Sequence, residues 1–340
     1  MGVTLQDIAN MAGVHKSTVD KVIHNRPGVS DKKRAEIRKL LEEHHYQPNP
    51  LAKAMNYQKR AMTIAAVFAS NVDSVEALLD GMRLVTPDFS NFNIKIEQRV
   101  VSGGAAEQAK VLRELRKEKI SGAVVLPIGD PEVEQALLEY RDAGIPFVTM
   151  NSDLKNSGRL AYVGQNMVQS GRLAARLFDI AMPQGGKIGI VTRRNLQALR
   201  EREDSFTETV NGRYPNLAIT AVTDLMESDA SPYDQTRQML EAHPELDGLF
   251  ITCGAVPEIV QAADVSGRLK KMKVICYENY PKITYLVKTG KIGCTISGNL
   301  ETQGRLAMRL LFEYLVYHKQ PDREIYYTTN EILIRENIGD

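Results

Sequence analysis

Little in this sequence invites redox or metal chemistry. Cysteine is scarce: Cys253, Cys276 and Cys294 are the only three in 340 residues. An odd number of thiols, each in an apolar segment, reads as small buried hydrophobes and not as a disulfide framework. Neither C-x-x-C nor H-E-x-x-H spacing occurs, so no metal is expected. Long apolar runs are missing as well. Nothing approaches the roughly 18 residues that a membrane span needs. The opening MGVTLQDIAN lacks the basic and apolar regions of a secretory signal, so a cytoplasmic protein with no membrane partner is expected. The marks of nucleotide enzymes are also absent. No G-x-G-x-x-G follows a strand pattern, and PQGGKIG has neither the glycine spacing of a P-loop nor a Ser/Thr after its lysine. No nucleophile–base pair is suggested by spacing. The chain therefore reads as a non-enzyme without a cofactor.

What is present is ample material for two or three domains. Hydrophobic residues make up 43% of the chain and charged residues 25%, ordinary globular values. The net charge is only +1, yet it is unevenly placed: residues 1–60 hold eleven Lys/Arg against six Asp/Glu. That gives the first sixty residues a balance of +5 and leaves the rest near −4. A basic N-terminal module on a mildly acidic body is the asymmetry of a nucleic-acid reader.

The first sixty residues have a helical pattern. Thr4 and Asp7 can form a capping box, and Leu5, Ile8, Ala9 and Ala12 mark one helix face. Gly13 stops that helix, and a second follows with Val19, Val22 and Ile23 on its apolar side. After NRPG, Ser30 can cap a third helix with Ile37, Leu40 and Leu41 on its inner face. Two short helices around a glycine turn make a helix-turn-helix. The second helix of that motif enters the major groove, which assigns base contact to Lys16 and Ser17, with Lys21 one turn on. His24 and Arg26 are placed to meet phosphates. Thr4, Leu5 and Ser30, at the starts of the first and third helices, complete the DNA-facing set of the headpiece. A solvated basic face on a small helical bundle is the bland alternative. Asn49 and Pro50 then signal a helix start, but a helix ending near Met55 is too short to be stable alone.

The order VTLQDIANMAGV, STV, YQPNPLAKAM and the body described next resembles the LacI family of transcription regulators over essentially the whole chain. The resemblance implies a hinge helix that folds when a dimer binds its operator and wedges Met55 into the minor groove, with Asn49, Ala52 and Lys53 at neighbouring hinge positions. It also shows departures. His15 stands where a Ser or Thr usually caps the recognition helix, Lys21 where Arg is frequent, and Asp20 where a small hydroxyl is usual. Asp20 is expected to orient Lys16 or Lys21.

From Met62 onward, short apolar runs alternate with helical patterns: MTIAAVFA, NIKIEQRVV, GAVVLP and PFVTMN, then KIGIVT, AITAVTDL, GLFITC, KVICYE and GCTISG. This is the rhythm of a parallel sheet with helices on both faces, and it occurs twice. The expected fold class is therefore α/β: a small all-α helix-turn-helix domain, then a doubly wound, two-subdomain, periplasmic-binding-protein-like core. The expected boundaries are 1–48 for the headpiece, 49–60 for the hinge helix and linker, and 61–340 for the core. Its subdomains are placed near 61–164, with a C-terminal crossover, and 165–298.

Ligands of such sheets bind beyond the carboxyl ends of the strands. Those ends supply Asn71, Asp73, Asn151, Asp153, Arg193 or Arg194, and Cys253 as effector candidates. The resemblance adds Arg202, from an R-x-x-G-F motif in which Ser205 replaces Gly, together with Glu278 and Asn299. Each has a plain alternative: Arg202 as a surface ion-pair partner, Asn151 and Asp153 as turn caps, Glu278 as a helix cap. If one of the adjacent arginines faces the cleft, an anionic effector becomes attractive. The expected function is sequence-specific DNA binding as a repressor. The expected partners are a pseudo-palindromic double-stranded operator, a second copy of the chain, and a small sugar-like effector. A transport or sensory binding protein fits the body alone, and a flavodoxin-like enzyme fits the sheet alone.

Overall fold

The computed structural model of the chain describes residues 3–23, 28–44, 46, 62–69, 72–85 and 92–339. The headpiece holds α1 (Leu5–Met11), α2 (Lys16–Ile23) and α3 (Asp31–Glu43). The capping box at α1 forms in full: the Asp7 N–H donates to Thr4 Oγ1 at 3.2 Å, and the Thr4 N–H donates to Asp7 Oδ2 at 2.8 Å. The Thr4 hydroxyl, donating to Asp7 Oδ2 at 2.6 Å, and then the Thr4 N–H hold the Asp7 carboxyl below its ordinary pKa. Gly13 turns the chain with φ of 61°, a backbone state that a side chain would strain. Ile8, Ala9, Val19, Val22 and Ile37 close a small core against which Leu5, Leu40, Leu41 and Tyr46 pack.

The remainder builds two six-stranded sheets. In chain order the elements are β1 (Met62–Ala69), α4 (Val72–Val85), β2 (Ile94–Val101), α5 (Gly104–Lys117), β3 (Gly122–Leu126), α6 (Pro131–Asp142), β4 (Phe147–Met150) and β5 (Ala161–Gln165). Then come α7 (Met167–Ala181), β6 (Gly186–Thr192), α8 (Gln197–Arg213), β7 (Leu217–Asp224), α9 (Pro232–Ala242), β8 (Gly248–Ile251), α10 (Val256–Val265), β9 (Lys273–Tyr277), α11 (Pro281–Lys288) and β10 (Cys294–Ser297). The chain ends with α12 (Leu300–Tyr317), β11 (Ile325–Thr328) and β12 (Glu331–Leu333).

The first sheet runs β11-β5-β4-β3-β1-β2 and the second β12-β10-β9-β8-β6-β7. Every pairing is parallel except β10 with β12. The central strands are buried on both faces, as in GAVVL of β3 and GLFI of β8, because helices cover both sides of a doubly wound sheet. At one edge, β2 alternates half-buried with exposed positions and carries Lys95, Glu97 and Arg99, charges that discourage pairing with another strand.

The chain passes between the sheets three times, after β5, after β10 and after β11. The two short strands at the end, β11 and β12, were not among the sequence-derived runs. They are four and three residues long and each closes a sheet edge, too short for a period to show.

The two crossover helices are built alike. GNLETQG (298–304) echoes QNMVQSG (165–171): an Asn caps each helix and a Gly follows five residues later. Both glycines let two helices touch backbone to backbone. A Cβ on Gly304 would lie 1.9 Å from Leu78 O, and one on Gly171 2.3 Å from Arg202 O. The same closeness recurs at Gly81, whose Cβ would meet Glu301 O at 1.9 Å. These contacts dock α12 on α4 and α7 on α8, and so fix where each crossover leaves its sheet.

Candidate DNA-reading helix and effector cleft

Helix α2 presents Lys16, Ser17 and Lys21 to solvent, while Val19 and Val22 face inward. Its unusual cap works through an imidazole. The Ser17 N–H donates to His15 Nδ1 at 3.3 Å, and Ser17 Oγ lies 2.9 Å from the same nitrogen. His15 thus satisfies an orphan N–H of the first turn, the job that a hydroxyl usually does, and ties the Ser17 side chain down. Asp20 is half-buried, and the Tyr46 hydroxyl pKa is raised by burial and, secondarily, by Asp20's charge. Asp20's charge thus lies near enough to Tyr46 to be felt there.

Thr4 is exposed in its capping box, and Leu5 is half-buried against the headpiece core. Ser30 occupies the N-cap of α3, but its side chain makes no cap hydrogen bond there, contrary to expectation. His24, Arg26, Asn49, Ala52, Lys53, Met55 and Asn71 lie outside the described residues, as does the side chain of Asp73.

A cavity of about 280 Å³ opens where the carboxyl ends of both sheets meet. In each sheet the strand order reverses beside the first strand, between β2 and β3 around β1 and between β7 and β8 around β6. Such switch points leave a crevice for ligand. Of the candidates, Asn151, Arg193, Arg202, Cys253 and Glu278 line it.

Asn151 follows β4 and Glu278 follows β9, equivalent positions in the two sheets. Both are left-handed, with φ of 65° and 72°. Asn tolerates that conformation, but Glu adopts it rarely, and such strain concentrates at functional sites.

Arg202 is 3% exposed and held on several sides. It donates to Thr252 O at 2.8 Å and Gln165 Oε1 at 2.6 Å, and its guanidinium lies 3.5 Å from the centre of the Tyr277 ring. The surface ion-pair alternative is thereby replaced by a buried anchor on the cleft wall. Glu278 keeps some exposure as a residue, but its Oε2 is enclosed and has no partner. Burial pushes its carboxyl up to about 7, against the opposing pull of Arg202's charge and the Gly298 N–H. The helix-cap alternative fails, since Tyr280 holds the N-cap of α11.

The two adjacent arginines separate cleanly. Arg193 lines the cleft, and its Nε is enclosed without an acceptor. Arg194 turns away into an ion pair with the buried Glu203, Nε to Oε2 3.0 Å, which raises its pKa. Cys253 is a buried thiol whose pKa is raised by burial.

Two candidates do not reach the cleft. Asp153 is clasped by Arg159 at 2.6 and 2.8 Å and takes the Thr149 hydroxyl at 2.7 Å, which satisfies its carboxylate within the first subdomain. Asn299 spends its side chain on the Thr302 N–H at 3.0 Å, as the cap of α12.

A chain of hydrogen bonds joins the two cleft walls through the crossovers. Asn151 Nδ2 donates to Gln303 Oε1 at 3.3 Å, and Gln303 Nε2 donates to Gly298 O at 2.9 Å. The Gly298 N–H also lowers the pKa of the Glu278 carboxyl, against the larger effect of burial. Thr328, on the third crossover, donates to Gly298 O at 2.6 Å. Asn151 thus reaches the Gly298 peptide through Gln303, and the same peptide acts electrostatically on Glu278.

Among the described residues there is no cluster of side chains fit to hold a metal ion, and no helix is long and apolar enough to cross a membrane. Residues 72–320 match the model of a periplasmic binding protein domain, and residues 4–49 that of the bacterial regulatory proteins of the lacI family. The chain belongs to the LacI family. The MalR regulator of Streptococcus pneumoniae is 42% identical over 275 residues, spanning 76% of this chain and 78% of that one. The ribose operon repressor of Halalkalibacterium halodurans is 22% identical over 344 residues, 98% of this chain and 96% of its own. Among solved structures, a Bacteroides fragilis protein described as a LacI transcriptional regulator has a TM-score of 0.76 at 19% identity, covering 82% of this chain and 99% of its own. A solute-binding protein of Burkholderia graminis in complex with D-arabinose has a TM-score of 0.74 at 21% identity, covering 82% and 96%. These likenesses carry the fold.

Sequence reasoning on this LacI-family chain overlooked Ser152, Gln165, Gln303 and Thr328. Ser152 is 2% exposed, lines the cleft and leaves its Oγ without a partner. It sits inside the NSD strand end, between two residues that were chosen. Gln165 and Gln303 lie within the two echoing segments but at non-equivalent positions, aligned with Gly298 and Ser170 respectively.

Proposed function

We propose that the chain is a transcriptional repressor that binds operator DNA through α2 and adjusts its grip according to a small polar effector in the cleft. The observation that supports this most is the pairing, in one LacI-family chain, of a solvent-facing Lys16–Ser17–Lys21 surface with a cleft whose wall holds unpartnered polar atoms. Its relatives are named as operon repressors and regulators. In this reading residues 1–48 form the headpiece, 49–60 the hinge that the effector acts through, and 61–340 the core. The protein works in the cytoplasm as a homodimer, because one helix-turn-helix reads few bases and a pair reads a pseudo-palindrome. Asn49, Ala52, Lys53 and Met55 serve the hinge, His24 and Arg26 meet phosphates, and Asn71 and Asp73 complete the cleft rim. No step of catalysis belongs to the cleft.

The effector alters how the two subdomains sit about Gly298, and by linkage operator and effector change each other's affinity by one factor. Selection from a random DNA pool, followed by binding isotherms at several salt concentrations, tests the DNA half. A pseudo-palindrome should be enriched, and Lys21→Ala should flatten the salt dependence by roughly 0.9 in log–log slope for each phosphate that Lys21 neutralises. No enrichment at low salt would overturn the reading.

A further inference from the structure

We propose that the cleft takes a monosaccharide-sized anion, a sugar acid or a sugar phosphate, whose charged group docks on Arg193 while its hydroxyls meet Ser152 and Glu278. This rests on the reading of the cleft as an effector site and adds the chemical class of the effector.

Charge carries the argument first. Among the described residues that line the cleft, the charged ones are Arg193, Arg202, Glu258 and Glu278. Glu258 is exposed in the first turn of α10, so water screens it. Glu278 is the acid of the inner wall, and burial leaves it only part-ionised at neutral pH. On the described inner wall, two permanent guanidiniums thus face one part-ionised carboxylate.

Partnering carries it next. Acid–base pairs elsewhere around the cleft are complete: Arg194 with Glu203, and Arg159 with Asp153. Arg193 has no acidic partner among the described residues, and its Nε is enclosed without an acceptor. An enclosed cationic donor wants an acceptor, and a guanidinium fork matches carboxylate or phosphate.

The helix starts point the same way. Helices α6, α7, α9 and α12 are capped by the side chains of Asp130, Asn166, Ser231 and Asn299. The N-caps of α8 and α10 are Leu196 and Ala255, which line the cleft and give no side-chain cap bond. The first-turn N–H groups of α8 and the positive end of its dipole favour an anion, whereas α10 already carries Pro257 and Glu258 in its first turn. The buried, unpartnered hydroxyl of Ser152 supplies an independent polar contact on the opposite sheet.

Size and shape limit the rest. A volume of about 280 Å³ is at the small end for ligand sites, which suits one sugar unit. Tyr277 is the aromatic residue among the described lining, and one of its faces is already covered by Arg202. Polar contacts, not ring stacking, therefore set the recognition.

Matched pairs test this on the full chain by thermal shift and titration calorimetry: D-gluconate with D-sorbitol, D-glucuronate with D-glucose, and ribose 5-phosphate with ribose, with inorganic phosphate alone as a further probe. The anion of at least one pair should bind at least tenfold tighter than its neutral partner. The pair that responds tells carboxylate from phosphate. Arg193→Gln should remove that preference, whereas Arg194→Gln, outside the cleft, should keep it. Circular dichroism of each variant separates a binding defect from a folding defect, and Arg193→Lys, which keeps the charge without the fork, should fall between. Neutral partners that bind as tightly as the anions would overturn the proposal, as would no response to any anion or an Arg193→Gln variant that keeps the preference. A neutral sugar that binds and changes DNA affinity would sink the charge assignment and leave the regulator intact. An anion that binds without changing DNA affinity would do the reverse.

Discussion

Replacing Glu278 by Gln should change how the ligand-free protein responds to pH. In the folded chain burial lifts the Glu278 carboxyl from its ordinary 4.5 to about 7. The unfolded chain has released this proton by pH 6, while the folded chain still holds it. Stability therefore falls as pH rises from about 4.5 toward 7 and then levels off. At roughly 1.4 kcal/mol for each tenfold, the rise is equivalent to about 3 kcal/mol in total. Most of it, about 2–3 kcal/mol, falls between pH 5 and pH 8. Glutamine keeps the shape, carries no charge at either end of this range, and so lacks the slope. Urea unfolding of both proteins at pH 5, 6, 7 and 8 measures the difference, and other titrating groups cancel between them. The Gln variant should gain on the wild type by that amount as pH rises. Stability curves that run parallel from pH 5 to 8 would refute the claim that Glu278 is enclosed without an adequate partner.

Three further outcomes follow from particular contacts. Gly304→Ala drives a methyl into the Leu78 carbonyl across the α4–α12 contact and should cost about 3 kcal/mol or more in chemical denaturation. Gly212→Ala, in α8 with open space around it, should instead add about 0.5–1 kcal/mol. His15→Ala should cost the headpiece about 0.5–1 kcal/mol by removing the cap, and His15→Ser should not, as read by circular dichroism melts of the headpiece signal. Gln303→Leu cuts the hydrogen-bond chain between Asn151 and Gly298. It should leave effector affinity within a few-fold in calorimetry while shrinking the effector's influence on DNA binding.

The headpiece was legible because its cues are local. A capping box, a glycine with positive φ and apolar positions one turn apart are all set by neighbours in sequence, and each formed where the spacing placed it. The core strands that were picked out fall within one or two residues for the same reason, whereas β11 and β12 were missed. The cleft was legible only in part, because it depends on which strand ends converge. Arg193 and Arg194 are indistinguishable in the sequence. Only the fold shows that Glu203, one helix away, claims the second. Asp153 looked as eligible as Asn151 until Arg159 enclosed it. Gln303 lies 152 residues from Asn151, and nothing near either announces their contact.

The central claim is that cleft and DNA-reading helix form one regulated unit. The direct measurement is the affinity for a selected pseudo-palindromic DNA, by fluorescence anisotropy, with and without a saturating ligand found by thermal shift, alongside calorimetry of that ligand with and without the DNA. The account predicts that both affinities change, and by the same factor. Unchanged affinity for DNA with the cleft filled would contradict it.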